Sequence, residues 1–166
     1  TKGGEVGMKL RLFDRSLRIN AAAYTYNVSD LQVSSVNPTS GTITTQNAAA
    51  ARVRGVEADF TFNPHGIDGL TITGAIAYNQ ARYKNFIATC YGGQTIAQGC
   101  SLALSPSTGL FTAQDLSGTP LVRAPEWQVN LGATYEMPIG RSMKLELGVD
   151  GQYTTKYLLL NGRRPD

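Results

Sequence analysis

From Arg54 the stretch VRGVEADFTFNP alternates strictly: Val56, Ala58, Phe60 and Phe62 fall on one side, Gly55, Glu57, Asp59 and Thr61 on the other. Period-two patterning of this kind marks a β-strand, because successive side chains leave a strand on opposite faces. Five further stretches share it. The predicted strands cover residues 5–13, 17–27, 53–62, 70–83, 126–137 and 142–155. With Val56, Ala58, Phe60 and Phe62, the apolar phase runs through Val6, Met8, Leu10 and Leu12; Leu17, Ile19, Ala21 and Ala23; Leu70, Ile72, Gly74, Ile76 and Tyr78; Trp127, Val129, Leu131, Ala133, Tyr135 and Met137; and Met143, Leu145, Leu147, Val149, Gly151 and Tyr153. Its 29 positions hold no charged residue, where the chain's 16% charge content predicts about five. The other phase carries Glu5, Lys9, Arg11, Arg18, Asn20, Glu57, Asp59, Asn130, Lys144, Glu146 and Asp150. One face of the sheet is therefore apolar and the other wet.

The connections alternate in length. Asp14-Arg15-Ser16, Asn63 to Gly69 and Pro138 to Arg141 are short turns, whereas roughly 25 residues separate strands two and three and more than 40 separate strands four and five. Short turns at one end and long loops at the other are the asymmetry of an outer-membrane barrel. The last two strands have the length, about 9–11 residues, that a tilted strand needs to cross a bilayer. Aromatics cluster near the strand ends: Phe60, Phe62 and Tyr135 by the short turns, and Tyr24, Tyr26, Tyr78, Trp127 and Tyr153 by the long loops. These are expected to form two girdles at the membrane boundaries. The predicted fold is all-β, a segment of an antiparallel up-and-down transmembrane barrel with short periplasmic turns and long extracellular loops.

Composition narrows the function. Fifteen basic and 12 acidic residues give a net charge of +3, too weak and too scattered for a nucleic-acid surface. Apolar runs reach only three or four residues, such as Leu158 to Leu160, so no transmembrane helix is expected. Glu57 and Asp59 lack the companions of an acid/base site. The single His65 lies in a turn, and no cluster suggests a metal, so no catalytic residue, cofactor or metal is expected. Arg11, Arg18, Glu57, Asp59, Lys144 and Glu146 are expected to face a water-filled lumen, hydrated or paired across strands. In the loop from about residue 84 to 125, Cys90 and Cys100 flank a Gly-rich tip, which in an exported protein reads as a disulfide. Arg82, Tyr83, Tyr91 and Arg123 are the candidate ligand contacts in the long loops. Residues 39–45, with Ser40-Gly41 at their middle, are expected to form a hairpin beyond the membrane.

Several motifs resemble those of TonB-dependent outer-membrane receptors. Glu5-Val6-Gly7-Met8-Lys9 is similar to that family's E-L-G-L-K strand. Arg54-Gly55-Val56-Glu57 with Pro64, Gly69-Leu70 and Ala77-Tyr78 is similar to its GVE … P … GL … Y hairpin, and Ala124-Pro125-Glu126-Trp127 to its APxW entry. Leu31-Gln32-Val33 after Asp30 is similar again. The turn Asn63 to Leu70 is longer than the family's usual NPxxGL, and a bulge is expected there. The resemblance spans about residues 5 to 157. It implies that residues 1–166 are one partial barrel domain from a 22-stranded receptor integral to a Gram-negative outer membrane. Six strands cannot close a barrel, and an open sheet leaves backbone groups unpaired in lipid, so this segment is not expected to fold stably alone. The resemblance further implies contact with outer-membrane lipid and coupling to the TonB complex through a missing N-terminal part. The implied cargo is an extracellular small molecule, a ferric siderophore before cobalamin or a saccharide, and no enzyme activity is implied. The alternatives are a soluble barrel or sandwich that binds a ligand, and a passive porin-like channel. An enzyme built into such a barrel would need a nucleophile within reach of a histidine, and His65 sits in the wrong turn.

Overall fold

The computed structural model describes residues 1–36, 43–47 and 50–159. Six long strands make one antiparallel sheet: β1 (Lys2–Leu12), β2 (Leu17–Val28), β5 (Ala50–Phe62), β6 (Leu70–Asn85), β10 (Trp127–Ile139) and β11 (Met143–Thr154). They follow one another across the sheet in chain order, an up-and-down meander. Between them lie β3 (Gln32–Val36) and β4 (Ile43–Asn47), a hairpin, and a three-stranded sheet of β7 (Ile87–Thr89), β8 (Cys100–Leu104) and β9 (Phe111–Asp115). The hairpin expected over 39–45 has its tip outside the described residues. Its strands begin seven residues earlier than expected.

The register lines up the predicted apolar phase without a slip. Val6, Ala23, Val56, Tyr78 and Trp127 form one lateral row, and Leu10, Ile19, Phe60, Gly74, Leu131 and Gly151 form another two steps lower. A shift of one residue on any strand would carry its apolar set to the wet face. That face is left open: Val6 is 71% exposed, Leu131 56% and Val149 68%. The buried apolar core lies elsewhere. Val33, Tyr83, Phe86, Ala88 and Leu116 pack together under the long loops, with Leu31 and Leu121 against them. The chain thus packs a lobe and leaves a large apolar face bare, which is the reverse of a soluble barrel, where the sheet's own apolar face is the core.

Two expectations are corrected. Tyr24 and Tyr26 do not join the loop-side girdle, because they share the phase of Asn20 and stand on the polar face. There Tyr26 Oη donates to Glu5 Oε2 at 2.7 Å and Tyr24 Oη to Asn79 Oδ1 at 3.2 Å. The girdle on the apolar face is Tyr78 against Trp127, ring centroids 4.8 Å apart, with Tyr153 one row below. The bulge expected in the turn from Asn63 is not there either. Pairing of β5 with β6 is regular up to Phe62–Ile72, and the register shifts instead at Ala50/Ala51, at the loop end. The turn closes through Gly69 at φ 86°, whose carbonyl accepts from Glu136 N at 2.9 Å; a side chain there would meet β10 backbone. His65 ties the turns together, its Nε2 donating to the Phe13 carbonyl at 3.1 Å.

Candidate functional site

Two surfaces carry chemistry: the polar face of the sheet and the lobe at its loop end. On the polar face, strand alternation sets Glu57 between Ala22 and Ala77, and Asp59 between Asn20 and Ala75. Small neighbours leave both carboxylates in water; Asp59 accepts from Asn20 Nδ2 at 2.8 Å. Arg11 and Arg18 face each other across β1 and β2, with Thr61 beyond Arg18, so neither stands beside these carboxylates. The cross-strand ion pair is instead Lys144 with Glu136, a residue the sequence reading had not placed in a pair. Glu146 lies directly opposite Glu136. The ammonium of Lys144 therefore offsets two facing carboxylates that would otherwise repel. A trough of about 730 Å³ crosses this face, lined by Glu5, Lys9, Asn20, Glu57, Asp59 and Asn130 among others. It is a hydrated groove of both charges, with the means to hold water and polar groups but no nucleophile–base pair.

The lobe is built on β6, which runs past the girdle to Asn85. The Cys90–Cys100 disulfide, Cα–Cα 5.7 Å, closes the segment between β7 and β8 as expected. Inside that segment Gln94 organises the Gly-rich tip. Its Oε1 accepts from Tyr91 N at 3.0 Å, and its Nε2 donates to Gln98 O at 3.0 Å and to Gln114 Oε1 at 2.9 Å. Gln114, 1% exposed, in turn donates to Thr89 O at 3.1 Å, so a buried amide is satisfied by the strand it packs on.

The four candidate contacts do not converge. Tyr83 is 3% exposed with its ring 4.6 Å from Phe86, so its surface is occupied by the lobe's core. Burial pushes its hydroxyl above the ordinary tyrosine value, against a Val122 backbone hydrogen bond that lowers it. Arg82 is engaged with Glu126 Oε1 at 3.1 Å and Gly118 O at 3.0 Å. Tyr91 is half-buried, and its hydroxyl has no hydrogen-bond partner among the described residues. Arg123 is exposed, at φ 56°, and its amide donates to Leu158 O at 2.7 Å. The sequence reading missed Gln94, Gln114 and Glu126, whose roles depend on partners 20 or more residues away, apart from the local tip contacts. Among the described residues there is no group of His, Cys, Asp and Glu that fits a metal ion.

The family model described as TonB dependent receptor-like, beta-barrel matches residues 1–164. No curated protein and no solved structure gives a match.

Proposed function

The chain belongs to the TonB-dependent receptor β-barrel family, and from that premise we propose that residues 1–166 are part of the wall of an outer-membrane barrel that imports a scarce nutrient, with a ferric siderophore as its cargo. The observation that carries this reading is the division of the chain's apolar surface. The sheet's apolar face is continuous, exposed and rimmed by Tyr78 and Trp127, while the buried core is confined to the lobe. A bilayer covers such a face at no cost in unpaired polar groups. Among the described residues the outer edges of β1 and β11 have no neighbour, and unpaired N–H and C=O groups in lipid cost several kcal/mol each, which supports a wall that continues through further strands.

On this reading the wet face lines the lumen, and the lobe stands over the external mouth, where Tyr91 and Arg123 keep surface for a ligand. Energy for import comes through the TonB complex, by way of a part of the receptor outside these residues. No step needs chemistry from the barrel wall; its task is to hold a passage and to position loops. Cell fractionation with an uptake assay tests the proposal. Recovery in the outer membrane, together with uptake of labelled ferric siderophore that fails when either this protein or TonB is deleted, is the expected result. A soluble product overturns the membrane reading, and TonB-independent uptake overturns the transport reading in favour of a passive channel.

A further inference from the structure

The outward phase of the sheet does not stay apolar to its loop end. Above the row of Val56, Tyr78 and Trp127 the same face continues as Thr25, Arg54 and Gln80, and then as Asn27, Arg52 and Arg82. Lys84 follows two positions beyond Arg82 on β6. These four cations border a groove of about 210 Å³. At the other end the outward positions are Leu12, Leu17, Phe62, Met137, Ile139 and Met143, with no charge.

The cations are held in place but incompletely neutralised. Arg54 Nε donates to Gln80 Oε1 at 2.7 Å and Arg52 Nε to Asn27 Oδ1 at 3.4 Å. Both partners are neutral amides, so each guanidinium is oriented through one nitrogen while keeping its charge and its terminal N–H groups. The carboxylate that does enter, Glu126, pairs with Arg82. Guanidinium groups fixed this way bind phosphate well, through paired N–H donors. Their place matters equally. They stand one and two steps beyond the aromatic boundary, on the side that meets lipid, where headgroups sit.

We propose that Arg52 and Arg54, with Lys84 beside them, form a binding site for the phosphate groups of an anionic lipid in the leaflet at the loop end of the barrel. The site rests on the reading that the apolar face meets lipid, and its occupant comes from the membrane rather than from the transported cargo. Arg82, tied to Glu126, forms the wall of the groove next to β10. Binding there would seat the lobe on the membrane surface and give the wall a preferred leaflet.

Native mass spectrometry of the detergent-purified protein tests this, with a bisphosphorylated diglucosamine lipid, its dephosphorylated counterpart and inorganic phosphate as probes. The phosphorylated lipid is expected to bind at one site per protein, and the dephosphorylated lipid at least about tenfold more weakly. The double variant R52Q/R54Q is expected to lose about tenfold or more, since each surface cation contributes roughly fivefold. R52K/R54K is expected to keep only part of the affinity, since lysine retains the charge but not the paired N–H donors, and R15Q/R141Q, the same loss of two charges at the opposite end, keeps all of it. Equal binding of the two lipids, unchanged binding by R52Q/R54Q, or inorganic phosphate binding as tightly as the lipid overturns the proposal, the last in favour of a free-anion site. The two-lipid comparison uses the unaltered protein and stands even where R52Q/R54Q fails to fold. A protein recovered in the outer membrane that does not discriminate the lipids sinks this site alone, whereas a soluble protein sinks the membrane reading as well.

Discussion

Tyr24 lies across Gly55: the two pair directly between β2 and β5, and the Tyr24 hydroxyl reaches over that strand to Asn79 Oδ1 on β6, 3.2 Å away. The tyrosine ring fills the gap that the glycine leaves, and a Cβ on Gly55 would stand 2.7 Å from the hydroxyl oxygen. The arrangement repeats with Tyr26 over Gly3 on the same face and Phe60 over Gly74 on the apolar one. Aromatic cover of a cross-strand glycine restores contact area to a backbone stretch that has no side chain of its own.

A side chain at residue 55 is therefore costly. Gly55→Val is expected to destabilise the protein by roughly 1–3 kcal/mol, the usual range for overpacking. The double variant G55V/Y24A should recover only part of that loss, because the new side chain strikes both the ring and the Tyr78 carbonyl oxygen on β6, and the carbonyl remains. Urea unfolding in lipid, followed by tryptophan fluorescence, reads both. A G55V protein as stable as the parent would mean that the ring and the Tyr78 carbonyl both give way at no cost.

Leu131 stands midway between Trp127 and Tyr135 on β10, at the middle of the apolar face, and Asn130 is its neighbour on the wet one. Leu131→Arg should cost about 2–4 kcal/mol, the penalty of a cation at the bilayer midplane. Asn130→Arg should cost little, since its side chain enters water. Comparing refolding midpoints of the two variants in lipid vesicles decides which face meets lipid. A larger loss in N130R would turn the sheet inside out.

The disulfide encloses a short segment, so its contribution is modest. Cys90→Ser with Cys100→Ser should destabilise the lobe by roughly 2–3 kcal/mol through the freedom regained by the unfolded loop. Limited proteolysis should then cut near Gly92-Gly93 first, leaving the long strands intact. Intact mass should show a gain of two hydrogens when a thiol reductant reduces the parent, and none in the variant. Equal protease resistance in the two would show that the Gln94 hydrogen bonds alone hold the tip.

Tyr83 makes the lobe sensitive to alkali. Burial raises its hydroxyl above the usual value near 10, so the folded lobe disfavours the phenolate that the unfolded chain readily forms. Its contribution is intact below that value and is lost as the pH rises past it. Near-ultraviolet circular dichroism of thermal unfolding should fall more steeply above pH ~10 in the parent than in Tyr83→Phe. Parallel curves for the two proteins would remove Tyr83 as the cause.

The sheet was largely legible in the sequence, because its information is local. Alternation along Val56 to Phe62 or Trp127 to Met137 states which side each residue takes, and no partner strand is needed to read it. The candidate site was less legible. Tyr83 reads as an aromatic in a long loop until Phe86, Leu116 and Val33 close around it, and Val33 comes from β3, 50 residues earlier. The strands β7, β8 and β9, of three to five residues, are too short for period two to stand out, and they exist because they pair with one another.

By itself, then, the sequence determined the six long strands, their two faces and the pairing of Cys90 with Cys100, since each depends on neighbours along the chain. Only the tertiary structure decided what lies beside what. It put Tyr24 and Tyr26 over glycines on the wet face, gave Lys144 to Glu136, set Arg11 against Arg18, and raised Arg52 and Arg54 above the aromatic row. Those outcomes follow from register between strands, and register is settled by every row of the sheet at once rather than by any one stretch of it.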